Sequence, residues 1–444
     1  MKAHLIGIGG YGMKILAFFL KGKGYEVTGS DLSYTPSLRF LSSNGIKVWS
    51  PHNIDLLSKE NPDIIIYSLA VKDDNIELSW AYNNSKPIYT RTQMLVNLLP
   101  KDRSIGITGT DGKTTTTSMV AKIFLTNNKP YNLYVGGDTP YFSENISYSS
   151  DRIFISEIDE SDPDFKLFSL TASIITNINY DHLENYANNR QKQLQSFKEF
   201  VNKSHVKVLN HNLKDFFVDS KNVHTFAIDR GELHVEDVRF YDFSSEFTVV
   251  NGNNKFKAKL NVPYFHNIEN ALAASLVSLY FGISLKDSFD ALYFYRGVKR
   301  RFEIKFRNES KNLYIIDDYA HNPREVAHTV KAAKIKGYDL WVIFQPHRYS
   351  RFKAHWRDFA ESLKDADKII ITDIFGAYEN NGENVSPILL KKALSSMGKH
   401  VYYMESFSDI KNFVFKYFKR NAVLLTLGAG TVTNLCDDIV KIYV

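Results

Sequence analysis

One segment of this chain reads Ser104-Ile-Gly-Ile-Thr-Gly-Thr-Asp-Gly-Lys-Thr-Thr-Thr-Thr117. A short apolar strand runs into a glycine-rich turn there, and a helix-forming run follows. Glycines let the backbone turn its N–H groups toward an anion, a lysine reaches the terminal phosphates of a nucleotide, and a hydroxyl completes the shell of a Mg²⁺ ion. The segment predicts that ATP is bound by Gly109, Thr110, Asp111, Gly112, Lys113, Thr114 and Thr115.

The spacing of this loop departs from the usual phosphate-loop pattern. Five positions before Gly112 stands Ile107 rather than glycine, so the spacing is G-x-x-G-K-T instead of G-x-x-x-x-G-K-T. A plain packing turn between a strand and a helix is the alternative interpretation. That alternative does not account for a lysine between a glycine and a run of threonines.

The composition is that of an ordinary globular protein. A length of 444 residues predicts about two to four domains, and 44% hydrophobic with 23% charged residues is typical of a soluble chain. A net charge of +6 suits polyanionic ligands but does not indicate nucleic acid, and we expect no nucleic-acid partner. The single cysteine, Cys436, excludes an internal disulfide and fits a reducing compartment. Because the sequence shows neither a membrane-length apolar run nor a signal-peptide core, we expect a cytoplasmic enzyme without a membrane partner.

Three blocks of alternating strand and helix patterns divide the chain. Buried-strand patterns at His4–Ile8, Tyr25–Gly29 and Asp63–Ser68 fall in the first block, and a β-rich insertion around residues 222–262 falls in the second. Such alternation is typical of parallel sheets with crossover helices. We therefore predict an α/β protein with domains at 1–98, 104–296 and 297–444.

A second glycine turn, Gly7-Ile-Gly9-Gly10-Tyr-Gly12, follows the first expected strand. One interpretation is a dinucleotide site, with Asp31 at the end of the next strand holding a ribose hydroxyl. A turn that needs glycine only for packing is another, and a site for some other nucleotide diphosphate is the third. The glycine pattern alone does not choose among them.

Acidic residues follow two further strands of the second block. Glu157 is the last acid within its strand and the best candidate ligand for Mg²⁺, which prefers hard oxygen donors. Asp159, Glu160 and Asp162 fit a solvated loop equally well. The next strand ends in Asp181-His182, which is either a structural pair or places His182 near a metal or a phosphate.

Charged clusters also follow strands of the third block. Arg301 lies in a basic turn, where an arginine beside ATP would offset charge on the γ-phosphate. The segment from Asp317 to Pro323 puts Asp318 and His321 after one strand, and a later strand is followed by His347, Arg348 and Arg351, a set suited to binding a carboxylate. Each cluster could be an incidental surface loop, but four such strand-end clusters indicate function.

The sequence resembles the Mur ligase family, the ATP-dependent amide-forming enzymes of peptidoglycan precursor synthesis. It is most similar to the branch that joins L-alanine to UDP-N-acetylmuramate. The motifs that carry the resemblance run from end to end: Gly7-Ile-Gly-Gly-Tyr-Gly-Met13, Gly109-Thr-Asp-Gly-Lys-Thr-Thr115, Glu157-Ile-Asp-Glu-Ser-Asp162, Asp181-His-Leu-Glu-Asn-Tyr186, Phe265-His-Asn-Ile-Glu-Asn-Ala-Leu-Ala-Ala274, Arg300-Arg-Phe302, Asp317-Asp-Tyr-Ala-His-Asn-Pro323 and Phe344-Gln-Pro-His-Arg-Tyr-Ser-Arg351.

The resemblance implies a Rossmann-like UDP-binding domain, a central ATPase-like domain with a small β insertion, and a Rossmann-like C-terminal domain that carries the amino-acid site. It implies that the UDP-sugar contacts Gly7, Gly9, Gly10, Gly12 and Asp31, which argues against a dinucleotide cofactor at this turn. It also implies ATP as substrate, Mg²⁺ as cofactor with Mn²⁺ as an alternative ion, and a monomer or homodimer.

The family assigns roles by position in the motifs. Lys113 would hold the γ-phosphate, Thr114 and Glu157 would bind Mg²⁺, and His182 would serve a second metal or the substrate carboxylate. The residues expected at the adenine are Asn267, Asn270 and His321, those at the phosphates and ribose are Arg301 and Asp318, and those that orient L-alanine are His347, Arg348 and Arg351.

Some alternatives stay open. Many relatives have histidine at Asp111, so that contact is not transferred, and Phe197 stands where related ligases carry a carbamylated lysine, so none is predicted. Either His182 or His347 is the candidate general base. A recycling ligase that attaches an intact tripeptide is the rival within the family. A non-catalytic nucleotide sensor is the rival outside it, and the presence of Glu157 and His182 argues against that class.

Overall fold

The computed structural model of the chain describes residues 1–444 except 138, 140–147, 180–182, 218–220, 242, 296, 378 and 380–384. The chain forms two compact units, Met1–Tyr295 and Arg296–Val444. Two sheets lie in the first unit and one in the second. Among the described residues, no helix combines the length and hydropathy that a membrane crossing requires.

The first sheet is wholly parallel, with the strand order β3-β2-β1-β4-β5. Its strands are short and mostly buried, as expected where helices cover both faces. Strand β3 was not predicted from the sequence, since it has only three residues. The elements are β1 (Lys2–Ile6), α1 (Tyr11–Gly22), β2 (Glu26–Ser30), α2 (Pro36–Ser43), β3 (Lys47–Trp49), α3 (Ile54–Glu60), β4 (Ile64–Tyr67), α4 (Ile76–Asn83), β5 (Ile88–Thr90) and α5 (Arg91–Leu98).

The second sheet has the order β14-β13-β12-β11-β10-β9-β6-β8-β7. Its strands run parallel except for the antiparallel pairs β12–β13 and β13–β14, which confirm the predicted β insertion. The elements are β6 (Ser104–Thr108), α6 (Lys113–Thr126), β7 (Tyr131–Tyr134), β8 (Ile153–Glu157), β9 (Ala172–Ile175), α7 (Arg190–Asn202), β10 (Val206–Asn210), β11 (Val223–Phe226), β12 (Leu233–Tyr241), β13 (Ser244–Asn251), β14 (Asn254–Leu260), α8 (Phe265–Tyr280) and α9 (Leu285–Tyr293), with 3₁₀ turns at Pro163–Leu167, Leu183–Tyr186 and His211–Phe217.

The sheet of the second unit has the order β15-β16-β20-β17-β18-β19, and only the edge strand β15 pairs antiparallel. The parallel α/β class predicted from the sequence is thus confirmed in all three sheets. The exact boundaries at 98, 104 and 297 stay a prediction. The elements are β15 (Glu303–Asn308), β16 (Leu313–Asp318), α10 (Pro323–Ala333), β17 (Asp339–Phe344), α11 (Tyr349–Leu363), β18 (Lys368–Ile371), α12 (Ile388–Ser396), β19 (His400–Tyr403), α13 (Phe407–Tyr417), β20 (Ala422–Leu427) and α14 (Val432–Tyr443).

One hydrophobic core runs through both sheets of the first unit. The Phe19 ring of α1 packs edge-on against Phe154 of β8, with centroids 5.0 Å apart. Burial of large aromatic rings contributes strongly to stability, and an edge-to-face pair adds about 0.5–1.5 kcal/mol. This shared core fixes the glycine turn that precedes α1 relative to the phosphate loop that follows β6.

A buried carboxylate ties the first sheet together. The Glu77 side chain of α4 is fully buried. It accepts hydrogen bonds from His4 Nε2 (3.4 Å), His52 Nδ1 (3.2 Å), the Ser30 hydroxyl, the Trp49 indole N–H (2.8 Å) and the Asn53 amide (2.8 Å). Because a carboxylate only accepts, we assign the proton of His4 to Nε2, and its Nδ1 then accepts from the Thr28 hydroxyl at 2.9 Å.

This network makes stability depend on pH. Burial raises the pKa of Glu77, but the hydrogen bonds from His4 and His52 outweigh burial and hold the pKa well below its ordinary range. Burial lowers the pKa of His4, so that ring stays neutral. In both cases the folded state binds fewer protons than the unfolded state. The stabilisation is therefore complete at neutral pH and decreases as the pH is lowered. It decreases first below pH 6.5, where His4 of the unfolded chain binds a proton, and further below pH 4.5, where Glu77 of the unfolded chain does.

We expect Glu77→Ala to lower the free energy of unfolding by about 3–5 kcal/mol at pH 7, because five donors lose their acceptor inside the sheet. The measurement is urea unfolding followed by tryptophan fluorescence, to which the neighbouring Trp49 contributes. The difference from the parent protein should shrink below pH 4.5. Glu26→Ala, on an exposed and loosely paired side chain, is the matched control and should change stability by less than about 1 kcal/mol. An equally small effect at Glu77 would contradict the role of the network.

Candidate active site

The phosphate loop joins the end of β6 to the start of α6. Gly109 and Gly112 have φ values of 132° and 83°. A Cβ at Gly109 would lie 2.2 Å from Thr176 Oγ1, and one at Gly112 would lie 2.6 Å from Asn270 Oδ1, so both positions require glycine. Since Gly112 is the N-cap of α6, no side chain caps that helix. The first N–H groups of a fourteen-residue helix thus face the loop as an anion site.

Lys113 is folded back onto its own loop. Its Nζ donates to the carbonyl oxygens of Gly109 (2.7 Å) and Thr110 (3.1 Å) and pairs with the Glu160 carboxylate at 2.8 Å. Glu160 is only 2% exposed, and burial raises its pKa although Lys113 lowers it. The solvated-loop interpretation is therefore wrong for Glu160, and also for Asp162, which is 4% exposed.

Thr114 and Glu157 meet beside the loop. The Thr114 hydroxyl donates to Glu157 Oε1 at 2.9 Å, and the Gly136 amide donates to Oε2 at 2.7 Å. This pair fits the donor chemistry of Mg²⁺, because a hydroxyl and a carboxylate at the end of β8 supply hard oxygens while nucleotide phosphates supply the rest. Within the described ranges, no group of three or more His, Cys, Asp or Glu side chains is arranged to hold a metal ion. Asp181 and His182 lie outside the described residues, so the expected role of His182 stays a prediction.

Asp111 is anchored to the segment that follows β9. Its amide donates to Asn177 Oδ1 at 2.9 Å, and its carboxylate accepts from Asn179 Nδ2 at 2.8 Å. The Thr110 hydroxyl donates to the Asn179 carbonyl at 2.9 Å. These bonds hold the loop from the neighbouring strand. Neither asparagine was predicted as a site residue, because no motif marks residues that act through loop geometry.

Two of the residues expected at the adenine, Asn267 and Asn270, form hydrogen bonds within the protein. Asn270 is buried in α8 and accepts from the Thr116 hydroxyl at 3.1 Å. Asn267 donates to the Pro263 carbonyl at 2.7 Å. Thr115 lies in the first turn of α6. Their contacts with a nucleotide stay a prediction.

The N-terminal glycine turn is closed by Asp31. The Gly9 amide donates to Asp31 Oδ2 at 2.8 Å, and the Gly10 amide donates to the Gly7 carbonyl at 3.3 Å. A Cβ at Gly12 would lie 2.6 Å from the Tyr134 hydroxyl, so this glycine permits a close approach of α1 to β7. Asp31 thus shapes the turn, whether or not it also contacts a ligand.

A cavity of about 330 Å³ lies between the two glycine loops. Gly12 lines it from one side, and Lys113 and Glu157 line it from the other. Arg91, the first residue of α5, also faces it, and its Nη2 lies 3.4 Å from Asp159 Oδ2. Burial raises the pKa of Asp159, but the Ser161 hydroxyl and the charge of Arg91 outweigh it, so the pKa is lowered and the group stays ionised. The cavity therefore combines two cations with a candidate metal ligand.

In the second unit, the predicted residues gather at the carboxyl ends of β16 and β17. The His321 and His347 rings lie 5.7 Å apart, and Arg351 Nη1 lies 3.2 Å from His347 Nδ1. Burial, together with the charges of His321 and Arg351, lowers the pKa of His347 to about 4. The neutral ring accepts from Arg351 at Nδ1, which leaves the proton on Nε2. Arg348 is exposed and lies at the N-cap of α11 with φ 66°.

Asp318 and the two arginines of the basic turn have distinct environments. Burial raises the pKa of Asp318 to about 6, although the amides of Ala320 and Phe302 donate to it. Arg300 donates to the Gly428 carbonyl at 2.7 Å and braces the loop after β20. Arg301 is exposed, with its guanidinium 5.9 Å from the Tyr319 ring centroid, and is the arginine available to a ligand.

Three family models match the chain: "Mur ligase family, catalytic domain" at residues 2–103, "Mur ligase middle domain" at 107–278, and "Mur ligase, glutamate ligase domain" at 300–430. A protein of Clostridium acetobutylicum named UDP-N-acetylmuramate–L-alanine ligase is 35% identical over 97% of this chain and 95% of its own length. One of that name from Thermotoga sp. (strain RQ2) is 34% identical over 97% and 94%. The crystal structure of UDP-N-acetylmuramate-alanine ligase from Thermotoga maritima has a TM-score of 0.84 and 31% identity, and covers 100% of this chain and 99% of that one.

Proposed function

This chain belongs to the Mur ligase family, and from that premise we propose that it joins L-alanine to the lactyl carboxylate of UDP-N-acetylmuramate with ATP. The observation that carries the proposal is identity of 34–35% over 97% of the chain to ligases of that name. The cavity shared by the glycine turn and the phosphate loop supports it, because that reaction brings a UDP-linked carboxylate to the γ-phosphate of ATP.

The chemistry explains why the cavity is cationic. A carboxylate is a poor acyl donor, because its leaving group would be oxide. ATP converts it to an acyl phosphate, and the amine of L-alanine then attacks through a tetrahedral intermediate and releases phosphate. The first step places an anion against a polyanion, so positive groups must crowd one spot. Lys113 and the N–H groups of α6 supply that charge at the phosphates, and Arg91 supplies it at the carboxylate.

We assign the UDP-sugar to the first glycine turn, bounded by Gly7, Gly9, Gly10, Gly12 and Asp31. Gly12 of this turn also lines the cavity, so a substrate bound at the turn lies beside the cavity. When bound, Mg²⁺ would neutralise phosphate charge, and Thr114 and Glu157 would hold it, while His182 would serve a second metal or the substrate carboxylate. The proposed domain boundaries are those predicted from the sequence, at 1–98, 104–296 and 297–444.

We assign the amino-acid site to the C-terminal unit. Arg348, Arg351 and the Nε2–H of His347 form a donor set for the carboxylate of L-alanine. Since the His347 proton lies on Nε2, this ring acts as a donor rather than as the general base, and His182 is the candidate that is left. Arg301, Asp318 and His321 are proposed for the phosphates, the ribose and the adenine.

Release of phosphate from Mg·ATP with UDP-N-acetylmuramate tests this function. We expect release with L-alanine and none with L-Ala-γ-D-Glu-meso-diaminopimelate. Release with the tripeptide alone would instead establish the recycling ligase, and the proposed ATP site would be unaffected. Release with neither substrate would contradict both.

Arg91→Ala should raise the KM for UDP-N-acetylmuramate about 10- to 100-fold, because a charge-assisted hydrogen bond to a carboxylate contributes about 1.5–3 kcal/mol. The KM for ATP should change less than about threefold, since the α6 loop is intact. Steady-state phosphate release gives both constants. Arg39→Ala, on an exposed arginine of α2, is the matched control. Unchanged kinetics at Arg91 would show that this residue only pairs with Asp159.

A further inference from the structure

A basic and aromatic patch lies where α13 ends and leads into β20. It consists of Phe415, Lys416, Tyr417, Lys419 and Arg420, all of them exposed. The two rings are 55% and 51% exposed, which is high for such large apolar side chains. Each ring lies next to a lysine side chain. An exposed patch of this kind indicates a binding partner that offers both negative charge and an apolar layer for the rings.

The cations of the patch are available to a partner. Residues 410–421 contain no Asp or Glu. Among the described residues, Lys416, Lys419 and Arg420 form no ion pair. Lys416 Nζ lies 5.2 Å from the Tyr417 ring centroid, and Lys419 Nζ lies 4.8 Å from that of Phe415. These cation–π contacts keep each ring beside a positive charge.

The patch is held rigidly by the fold. The Tyr443 hydroxyl at the end of α14 donates to the carbonyls of Val414 (3.2 Å) and Phe418 (2.8 Å). Phe418 is fully buried and packs edge-on against the Tyr443 ring, with centroids 5.8 Å apart. The exposed rings of Phe415 and Tyr417 are therefore fixed outward by their buried neighbours.

The patch also lies at the opposite end of the strands from the candidate site of this unit. β20 begins at Ala422, directly after the patch, whereas the histidine cluster follows the carboxyl ends of β16 and β17. All three strands run parallel, so the two features lie at opposite ends of the strands. A partner at the patch would leave the histidine cluster open to substrate.

We propose that this patch binds the surface of an anionic lipid bilayer. Each basic residue near anionic headgroups strengthens partitioning to the membrane about fivefold. Exposed Phe and Tyr rings insert at the level of the headgroups. An acidic protein surface would engage the lysines but would leave the two adjacent rings in water. The lack of a membrane-crossing helix among the described residues does not bear on such contact, because a peripheral patch needs none. With three cations and two rings, the binding is weak, reversible and sensitive to salt.

Co-sedimentation of the full chain with vesicles tests the proposal. We expect binding to vesicles of phosphatidylcholine mixed with phosphatidylglycerol at low ionic strength, loss of that binding at high ionic strength, and none with phosphatidylcholine alone. Lys416→Gln/Lys419→Gln should weaken partitioning about 25-fold, at about fivefold per cation. Phe415→Ser/Tyr417→Ser should weaken it about tenfold or more.

Lys391→Gln/Lys392→Gln in α12 makes the same charge change elsewhere in the unit and should weaken binding less than twofold. Phosphate release should be unchanged in every variant, which checks that each one folds. Absence of binding to the anionic vesicles would overturn the proposal. Loss of binding in the lysine variant with full binding in the ring variant would also overturn it, because charge alone would then be recognised, as by an acidic protein or a nucleic acid.

Discussion

Lys113→Ala is expected to lower the rate of phosphate release about a thousandfold. The ammonium is the one side-chain cation built into the phosphate loop, and it lines the cavity where the γ-phosphate is proposed to react. Removing a single preorganised donor from such a site costs about 10²- to 10³-fold in kcat. Binding of UDP-N-acetylmuramate, measured by calorimetry, should be largely retained because the first glycine turn is untouched. Lys122→Ala, farther along α6, is the matched control.

The substitution leaves the buried Glu160 without its cation, so a loss of activity through misfolding has to be separated from a loss of chemistry. Lys113→Ala/Glu160→Gln removes that uncompensated charge. We expect the double variant to recover thermal stability but not turnover. Near-normal turnover in either variant would contradict the assignment of the loop.

Glu157→Gln is expected to lower kcat about a hundredfold and to raise the Mg²⁺ concentration needed for half-maximal activity about tenfold or more. The amide keeps the size of the side chain and one acceptor for the Thr114 hydroxyl, but it removes the negative charge that a hard cation requires. Calorimetric ATP titrations with and without Mg²⁺ give a second measurement that does not depend on turnover.

Glu246→Gln, on the exposed face of β13, is the control for this change. If Glu157→Gln keeps the Mg²⁺ dependence of the parent protein, then Glu157 serves only to brace Thr114 and Gly136, and the metal must be held by other groups.

Much of the fold was predictable because its signals are local. Apolar runs such as Ile105–Ile107 and Leu313–Ile316 are read directly as buried strands, and the glycine turns mark their ends. The missed strand β3 has only three residues, too few for a period to appear. Its position depends on pairing with β2, which is a contact distant in sequence.

The candidate site was predictable only in part. Lys113, Thr114 and Glu157 stand in motifs whose chemistry is readable from residue type and spacing. Arg91 was missed because it lies at the start of a helix with no motif, and only packing brings it to the cavity. The burial of Glu160 stayed open, because a run of acids looks the same whether it is exposed or paired with a buried lysine.

The sequence by itself determined the α/β class, the two glycine loops, the family and the residue types of the chemistry, since these depend on neighbours along the chain. Only the tertiary structure decided protonation and pairing. His347 is neutral because burial and neighbouring positive charge lower its pKa, and its proton lies on Nε2 because Nδ1 accepts from Arg351. Glu77 is ionised in the core because donors from three strands and from the segment after β3 converge on it. The free energy of a charge depends on the dielectric and the dipoles around it, and these are set by residues far apart in the chain.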